Sequence, residues 1–169
     1  MKAKLIIENK EIEIEISEEE YKKLHPSEEK KTGYKRVPEY DDYFHESGKG
    51  DVEFEIEDCY DVDDEYYESA NYYSDKTVAE NNARADKLMR QLRRFAVEHR
   101  KCGVNLNSTK TEKYYICYDC ARDELGTTFS FYARIFGTIY FDSEEIARTA
   151  IDEFRDELIW YFTEYKDSL

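Results

Sequence analysis

Carboxylates at strand spacing, interleaved with tyrosine, are the first chemistry this chain offers. Between Glu39 and Glu68, fourteen of thirty residues are Asp or Glu and one is Lys, with Tyr40, Tyr43, Tyr60, Tyr66 and Tyr67 among them. Glu53, Glu55 and Glu57 alternate with Val52, Phe54 and Ile56. Residues two apart on a strand share a face at about 6.8 Å, so these glutamates form one row. Glu11, Glu13 and Glu15 form a second, alternating with Ile12, Ile14 and Ile16. A DNA strand carries a phosphate per roughly 3.4 Å of axis, and proteins hold it with Lys and Arg. A rigid carboxylate row engages the same cations. The competing reading is the solvent face of an edge strand, where charge blocks aggregation.

Three further sets invite chemistry. His99-x-x-Cys102 and Cys117-x-x-Cys120 are four zinc-ligand types in two pairs, fourteen residues apart, roughly zinc-ribbon spacing. Against zinc, Cys117 and Cys120 close an apparent strand, where positions i and i+3 point to opposite faces. Asp58-x-x-Asp61-x-Asp63-Asp64-Glu65 is similar to a calcium loop, but Tyr66 stands where that loop requires Gly. Arg84, Lys87, Arg90, Arg93, Arg94 and Arg100 give one helix region a basic face. That face suits phosphate, yet the field of the whole chain opposes nucleic acid, and a salt-bridged surface is the better reading. Enzyme signals are weak. The chain has six Gly with no phosphate-binding loop, and His25, His45 and His99 have no evident nucleophile beside them.

The elements that must position these residues are legible in part. Residues 3–16 read as a β-hairpin with its turn at Glu8-Asn9-Lys10, and Ser17–Glu20 as a capping box opening a short helix. Strands are expected at 34–37 and 40–44 around Pro38, a turn at Ser47–Gly50, and a strand through Val52, Phe54 and Ile56. Asp58–Glu68 is too acidic to assign. Residues 71–99 form a long helix region capped by Ser74 or Asp75, with an apolar stripe of Val78, Ala79, Ala83, Leu88, Leu92, Phe95 and Ala96. Strands follow at 114–118 and 128–133, flanking a turn with Gly126, and at 137–141. Asp142–Glu145 reads as a second capping box, opening one helix to about Tyr165. At an offset of 68 residues, Tyr72-Tyr73-Ser74-Asp75 before Val78-Ala79 is echoed by Tyr140-Phe141-Asp142-Ser143 before Ile146-Ala147. Two related strand-then-helix units would explain the echo.

The expected fold is therefore α+β: small antiparallel sheets packed on two main amphipathic helices. Three regions divide the chain: 1–32 (hairpin and short helix), 33–100 (acidic β region and basic helix) and 101–169 (β region and C-terminal helix). The 169 residues carry a net charge of -15, and sixteen Tyr, nine Phe and one Trp argue for a packed core against disorder. Residues 1–70 hold 23 acids and 10 bases, while residues 71–135 hold 8 acids and 12 bases. Such a field favours basic partners and repels nucleic acid and anionic membranes. No apolar run approaches bilayer length, and the apolar start after Met1 is too short for a signal peptide, so a cytoplasmic setting is expected. The cysteines are then expected reduced or metal-bound.

The stretch Tyr72 to His99, with Leu88-Met89-Arg90-Gln91-Leu92-Arg93-Arg94-Phe95-Ala96, carries a resemblance together with Phe136–Phe141 and Trp160–Tyr165. These segments resemble a family of small, acidic, uncharacterised proteins carried by phages and prophages of Gram-positive bacteria. The resemblance implies a mobile-element origin and the cytoplasm of a bacterial host. It also implies a class that includes inhibitors of host defence, among them anti-CRISPR proteins. The expected function is a non-enzymatic inhibitor that binds a basic, nucleic-acid-handling host protein, such as a nuclease, by nucleic-acid mimicry. Its contacts are expected from Glu53, Glu55, Glu57, Tyr60, Asp61, Asp63, Asp64, Glu65, Tyr66 and Tyr67. The alternative is a structural or assembly module stabilised by zinc on His99, Cys102, Cys117 and Cys120, without an anti-defence role. A metal-dependent enzyme using the acidic cluster ranks last.

Overall fold

The computed structural model describes the backbone of residues 2–7 and 10–15, then residue 17, and residues 32–101 and 105–167 in full. The expected helix after Ser17 lies outside the described residues. The chain divides into two compact units, Met1–Thr32 and Gly33–Leu169. In the first, β1 (Lys2–Ile7) pairs antiparallel with β2 (Lys10–Glu15). Lys10 pairs with Ile7, so it belongs to β2 and not to the expected turn. Lys2 and Lys4 stand opposite Glu15 and Glu13 in the register.

The second unit is α+β. It contains β3 (Asp42–Glu46), β4 (Val52–Ile56), α1 (Asp61–Glu68), α2 (Lys76–Glu98), β5 (Lys113–Asp119), β6 (Glu124–Ser130), α3 (Glu144–Glu153) and α4 (Arg155–Thr163). Strands β3 and β4 form one antiparallel pair and β5 and β6 another. The segment from Tyr34 to Asp41 is not a strand, because the chain turns near Pro38 and Tyr40 takes a left-handed φ of 72°. Gly126 lies inside β6 opposite Cys117, and the reversal falls at residues 120–123.

Helix α2 matches its sequence pattern closely. Asp75 caps it by accepting a bond from the Val78 N–H at 3.0 Å. Every residue of the expected stripe is buried, and the basic residues between them are exposed. The two ends of α2 serve different neighbours. Val78 and Ala79 pack with Tyr73, Tyr34, Phe44 and Val52 of the first hairpin region. Leu88, Leu92, Phe95 and Ala96 pack with Phe141 and with Ile146, Ala147, Ala150, Ile151 and Leu158 of α3 and α4. Gly33 sits tightly against the first cluster. A Cβ there would lie 2.7 Å from a Val78 methyl, and its φ of 83° suits only glycine.

The echo at 68 residues has a structural counterpart. Phe44 of β3 bridges to Tyr73, and Tyr114 of β5 bridges to Phe141, each adding one rung to the hairpin's first strand. Two residues later stand the caps, Asp75 and Ser143, each accepting from the N–H three positions on. Val78 and Ala79 then occupy the buried positions that Ile146 and Ala147 occupy in the second unit. Ser143 is thus the cap of α3. Asp142, expected to open a capping box, accepts a bond from the Lys101 N–H at 2.9 Å instead. The units differ afterwards: the second helix breaks at Phe154, which leaves helical backbone at φ -110° and divides α3 from α4.

The caps give a direct test. D75A and S143A should each lower the unfolding free energy by about 1 kcal/mol, read by urea titration with the single Trp160 as probe. An unchanged midpoint in either would remove that cap from the helix's stability.

Candidate functional site

The acidic run divides by burial. Glu57 and Asp63 are 1% and 2% exposed, while Glu53, Glu55, Asp61, Asp64 and Glu65 are exposed. The expected row of Glu53, Glu55 and Glu57 is therefore cut to two. Glu57 lies one residue past β4, and its carboxylate turns into the protein. A buried carboxylate is costly unless paired and bonded, and Glu57 is both. Arg36 donates to it through Nε and Nη2 at 2.9 and 2.7 Å. The Tyr72 hydroxyl donates at 2.7 Å and the Cys59 N–H at 3.2 Å. Arg36 holds the Glu57 carboxyl far below its ordinary value, at about 2, against the opposing effect of burial.

Asp63 is the second inward acid and is removed from the expected contact set for the same reason. Its carboxylate accepts the Tyr43 hydroxyl at 2.8 Å and the backbone N–H groups of Tyr60 and Asp58 at 2.9 and 3.2 Å. The last two bonds satisfy donors at the start of α1, where orphan N–H groups would otherwise remain. Asp61, Asp63 and Asp64 all fall in its first turn, where the helix dipole favours negative charge. This explains how so acidic a segment becomes helical. Asp64 pairs with Arg36 at 2.5 Å, so one guanidinium ties α1 to the Glu57 site.

Aromatic stacking seats α1 on the sheet. The Tyr43 and Tyr72 rings stack at 4.1 Å, and Tyr66 stacks on His45 at 4.1 Å. Tyr66 is thereby a packing residue more than a contact residue, half-buried beneath its helix. His45 is buried, and neither ring nitrogen has a hydrogen-bond partner among the described residues. Burial, followed by the bond to Asp63, raises the Tyr43 pKa. Burial, followed by the bond to Glu57, raises that of Tyr72.

What remains outside is one acidic, aromatic surface. Glu53 pairs in register with His45 and Glu55 with Tyr43, so both glutamates rise from the sheet face on which α1 lies. Asp61 and Glu65 follow at helix spacing i, i+4, one turn apart. None of these four side chains makes an ion pair or hydrogen bond among the described residues. Tyr60 (67% exposed), Tyr67 and Val62 accompany them on α1. Phe54 and Ile56, on the opposite face, are also exposed. Only the Val52 end of β4 reaches the cluster under α2.

The acids do not serve mainly to neutralise the Arg-rich helix. Glu46 pairs with Arg90 at 2.6 Å, but Arg84 pairs with Glu157 at 2.8 Å and stacks on Trp160. The partner that matters to the run, Arg36, was missed. Its signal was present: it is the sole Arg before position 84, in a region holding 23 acids.

For the metal reading, His99 Nδ1 lies 2.9 Å from the Phe95 carbonyl oxygen and its ring stacks on Phe95 at 3.9 Å. Cys117 and Cys120 are free thiols, and burial pushes the Cys117 thiol up. Cys102 lies outside the described residues. Among the described residues, no three of His, Cys, Asp and Glu are grouped to hold a metal ion. Comparison with family models, with curated proteins and with solved structures finds no match to this chain.

The buried acids should betray themselves in stability. D63N keeps the shape but turns an amide towards hydrogen-bond donors, so it should cost about 1–3 kcal/mol, while D61N loses one charge at the helix start and should cost under about 1 kcal/mol, and E65Q leaves the urea midpoint unchanged. Folding lowers the Glu57 pKa from 4.5 to about 2. Its contribution is therefore present above about pH 5 and is lost as pH falls through 4.5 towards 2. R36Q removes the largest cause of that lowering and leaves only the Tyr72 and Cys59 bonds against burial, so acid unfolding followed by Trp160 fluorescence should begin at higher pH than in the wild type.

Proposed function

We propose that this chain is a protein-binding inhibitor whose acidic, Tyr-bearing surface occupies the nucleic-acid site of a basic protein. The observation that supports this best is the division of labour among the carboxylates. Glu57 and Asp63 hold the scaffold, leaving Glu53, Glu55, Asp61 and Glu65 outward, unpaired among the described residues and mounted on a strand and a helix. A pair of acids two apart on a strand spans about 6.8 Å, close to every second phosphate along a DNA strand. Tyr60 and Tyr67 add rigid, amphipathic contact area at low entropy cost. Arg and Lys of the target pair with the carboxylates, which sets association rate and salt dependence.

The target class follows from the resemblance to phage-borne acidic proteins. We take it to be a nucleic-acid-handling defence protein of a bacterial host, in the manner of anti-CRISPR inhibitors, with the chain acting in the host cytoplasm without catalysis. No helix among the described residues is long and apolar enough to cross a membrane.

The test is capture of nucleic-acid-binding proteins from host lysate, followed by elution with duplex DNA. Captured protein should be released by DNA, and raising NaCl from about 50 to about 200 mM should weaken binding tenfold or more. The E53K/E55K/E65K variant should lose capture while keeping the wild-type unfolding midpoint. Retention of the same protein by that variant, or indifference to DNA, would overturn the proposal.

A further inference from the structure

A second concave site lies at the far end of α2 and has the opposite charge. It is a groove of about 620 Å³ between the helix end and the connection from β6 to Phe141. Arg93, Ala96, Val97 and Arg100 enter it at spacing i, i+3, i+4 and i+7, one helical face carried just past the end of α2. Arg134, Ile135 and Phe136 face them from the connection. Among the described residues, no Asp or Glu lines the groove.

The ion pairing of the arginines singles this place out. The chain has ten Arg and forty acids. Eight of the ten, Arg100 among them, meet a carboxylate within 4.0 Å. Arg93 and Arg134 meet none among the described residues, and both line this groove. Arg100 keeps its carboxylate, Asp142, only at 4.0 Å. In so acidic a chain, two unpaired guanidiniums in one concavity form a local positive site. Beside Arg134 the opposite wall carries Ile135 and Phe136, and Phe136 is fully exposed at 103%.

That wall is held in place. The buried Lys113 ammonium donates to the Phe131 carbonyl and, at 2.8 Å, to that of Ser108. The Ile135 N–H donates to the Tyr140 hydroxyl at 2.8 Å. The backbone of this connection is thus tied at Phe131 and Ile135, on either side of Arg134.

We propose that this groove binds a small organic anion: a phosphate or carboxylate gripped by Arg93 and Arg134, attached to an aromatic body that packs on Phe136 and Ile135. The planar guanidinium fork matches both anions in two-bond geometry. The volume falls in the range of small-molecule sites. A net charge of -15 repels a long polyanion more strongly than a ligand with one anionic group.

Calorimetric titration of the full chain with phenyl phosphate, benzoate, adenosine monophosphate and inorganic phosphate tests this. Saturable binding of an aromatic anion is expected, tighter than that of inorganic phosphate. R93Q/R134Q should weaken it about tenfold or more, since each lost charged bond removes over 1 kcal/mol. Preference for phenyl phosphate over benzoate would identify phosphate as the natural group, and the reverse would identify carboxylate. Backbone amide shifts on titrating the wild type should centre on Arg93, Ile135 and Phe136, a readout independent of the variant's folding. No saturable binding, shifts centred elsewhere, full affinity in a folded R93Q/R134Q variant, or tighter binding of a duplex oligonucleotide would each overturn it.

Discussion

The pairing of half-buried Arg36 with buried Glu57 is the constraint around which the acidic half of the second unit is arranged. A carboxylate withdrawn from water is tolerated only when its charge and lone pairs are met. For Glu57 this needs Arg36, Tyr72 and the Cys59 backbone at one point. Their convergence pins the segment before β3, the end of β4, the approach to α1 and the residues leading into α2. The backbone yields to it. Tyr40 and Cys59 adopt left-handed φ of 72° and 57°, and the Tyr40 N–H donates to the Glu57 carbonyl at 2.8 Å. Such conformations persist where surrounding contacts over-determine them.

That constraint also sorts the charges. Two carboxylates are drawn in, one by a guanidinium and one by helix-start N–H groups, and this frees their neighbours to face outward on a rigid base. Helix α2 then separates two surfaces of opposite sign. Its 23 residues extend about 34 Å. One end carries the hairpin with the outward acids, and the other carries Arg93 and the groove beyond it. Each end has its own hairpin, single bridging rung and capped helix start, so one construction, used twice, supports both surfaces.

How much of this was legible depends on the range of the interaction concerned. Helix α2 could be read because its stripe and its Asp75 cap are local: each position is decided by residues three or four away. The hairpins and the α+β class followed from alternation and turns. Helix α1 could not be read, because its apolar content is low and its stability depends on Asp63 bonding back to Tyr60 and on Tyr66 stacking against His45. The exposure of Phe54 and Ile56 could not be read either, because alternation shows which residues share a face without showing whether anything covers it. The break at Phe154 left no Gly or Pro behind to announce it.

The sequence by itself determined the sign of the molecule, the class of its fold and the faces of its longest helix, since charge, alternation and helical period belong to the residues and their near neighbours. Only the tertiary structure decided which acids are scaffold and which are surface. A carboxylate's fate depends on the donors that reach it, and those of Glu57 come from 21 positions before it and 15 after. The same holds for Arg93 and Arg134, forty-one residues apart: each is an ordinary arginine in the sequence, and only the fold brings them to one groove, lined by no carboxylate among the described residues.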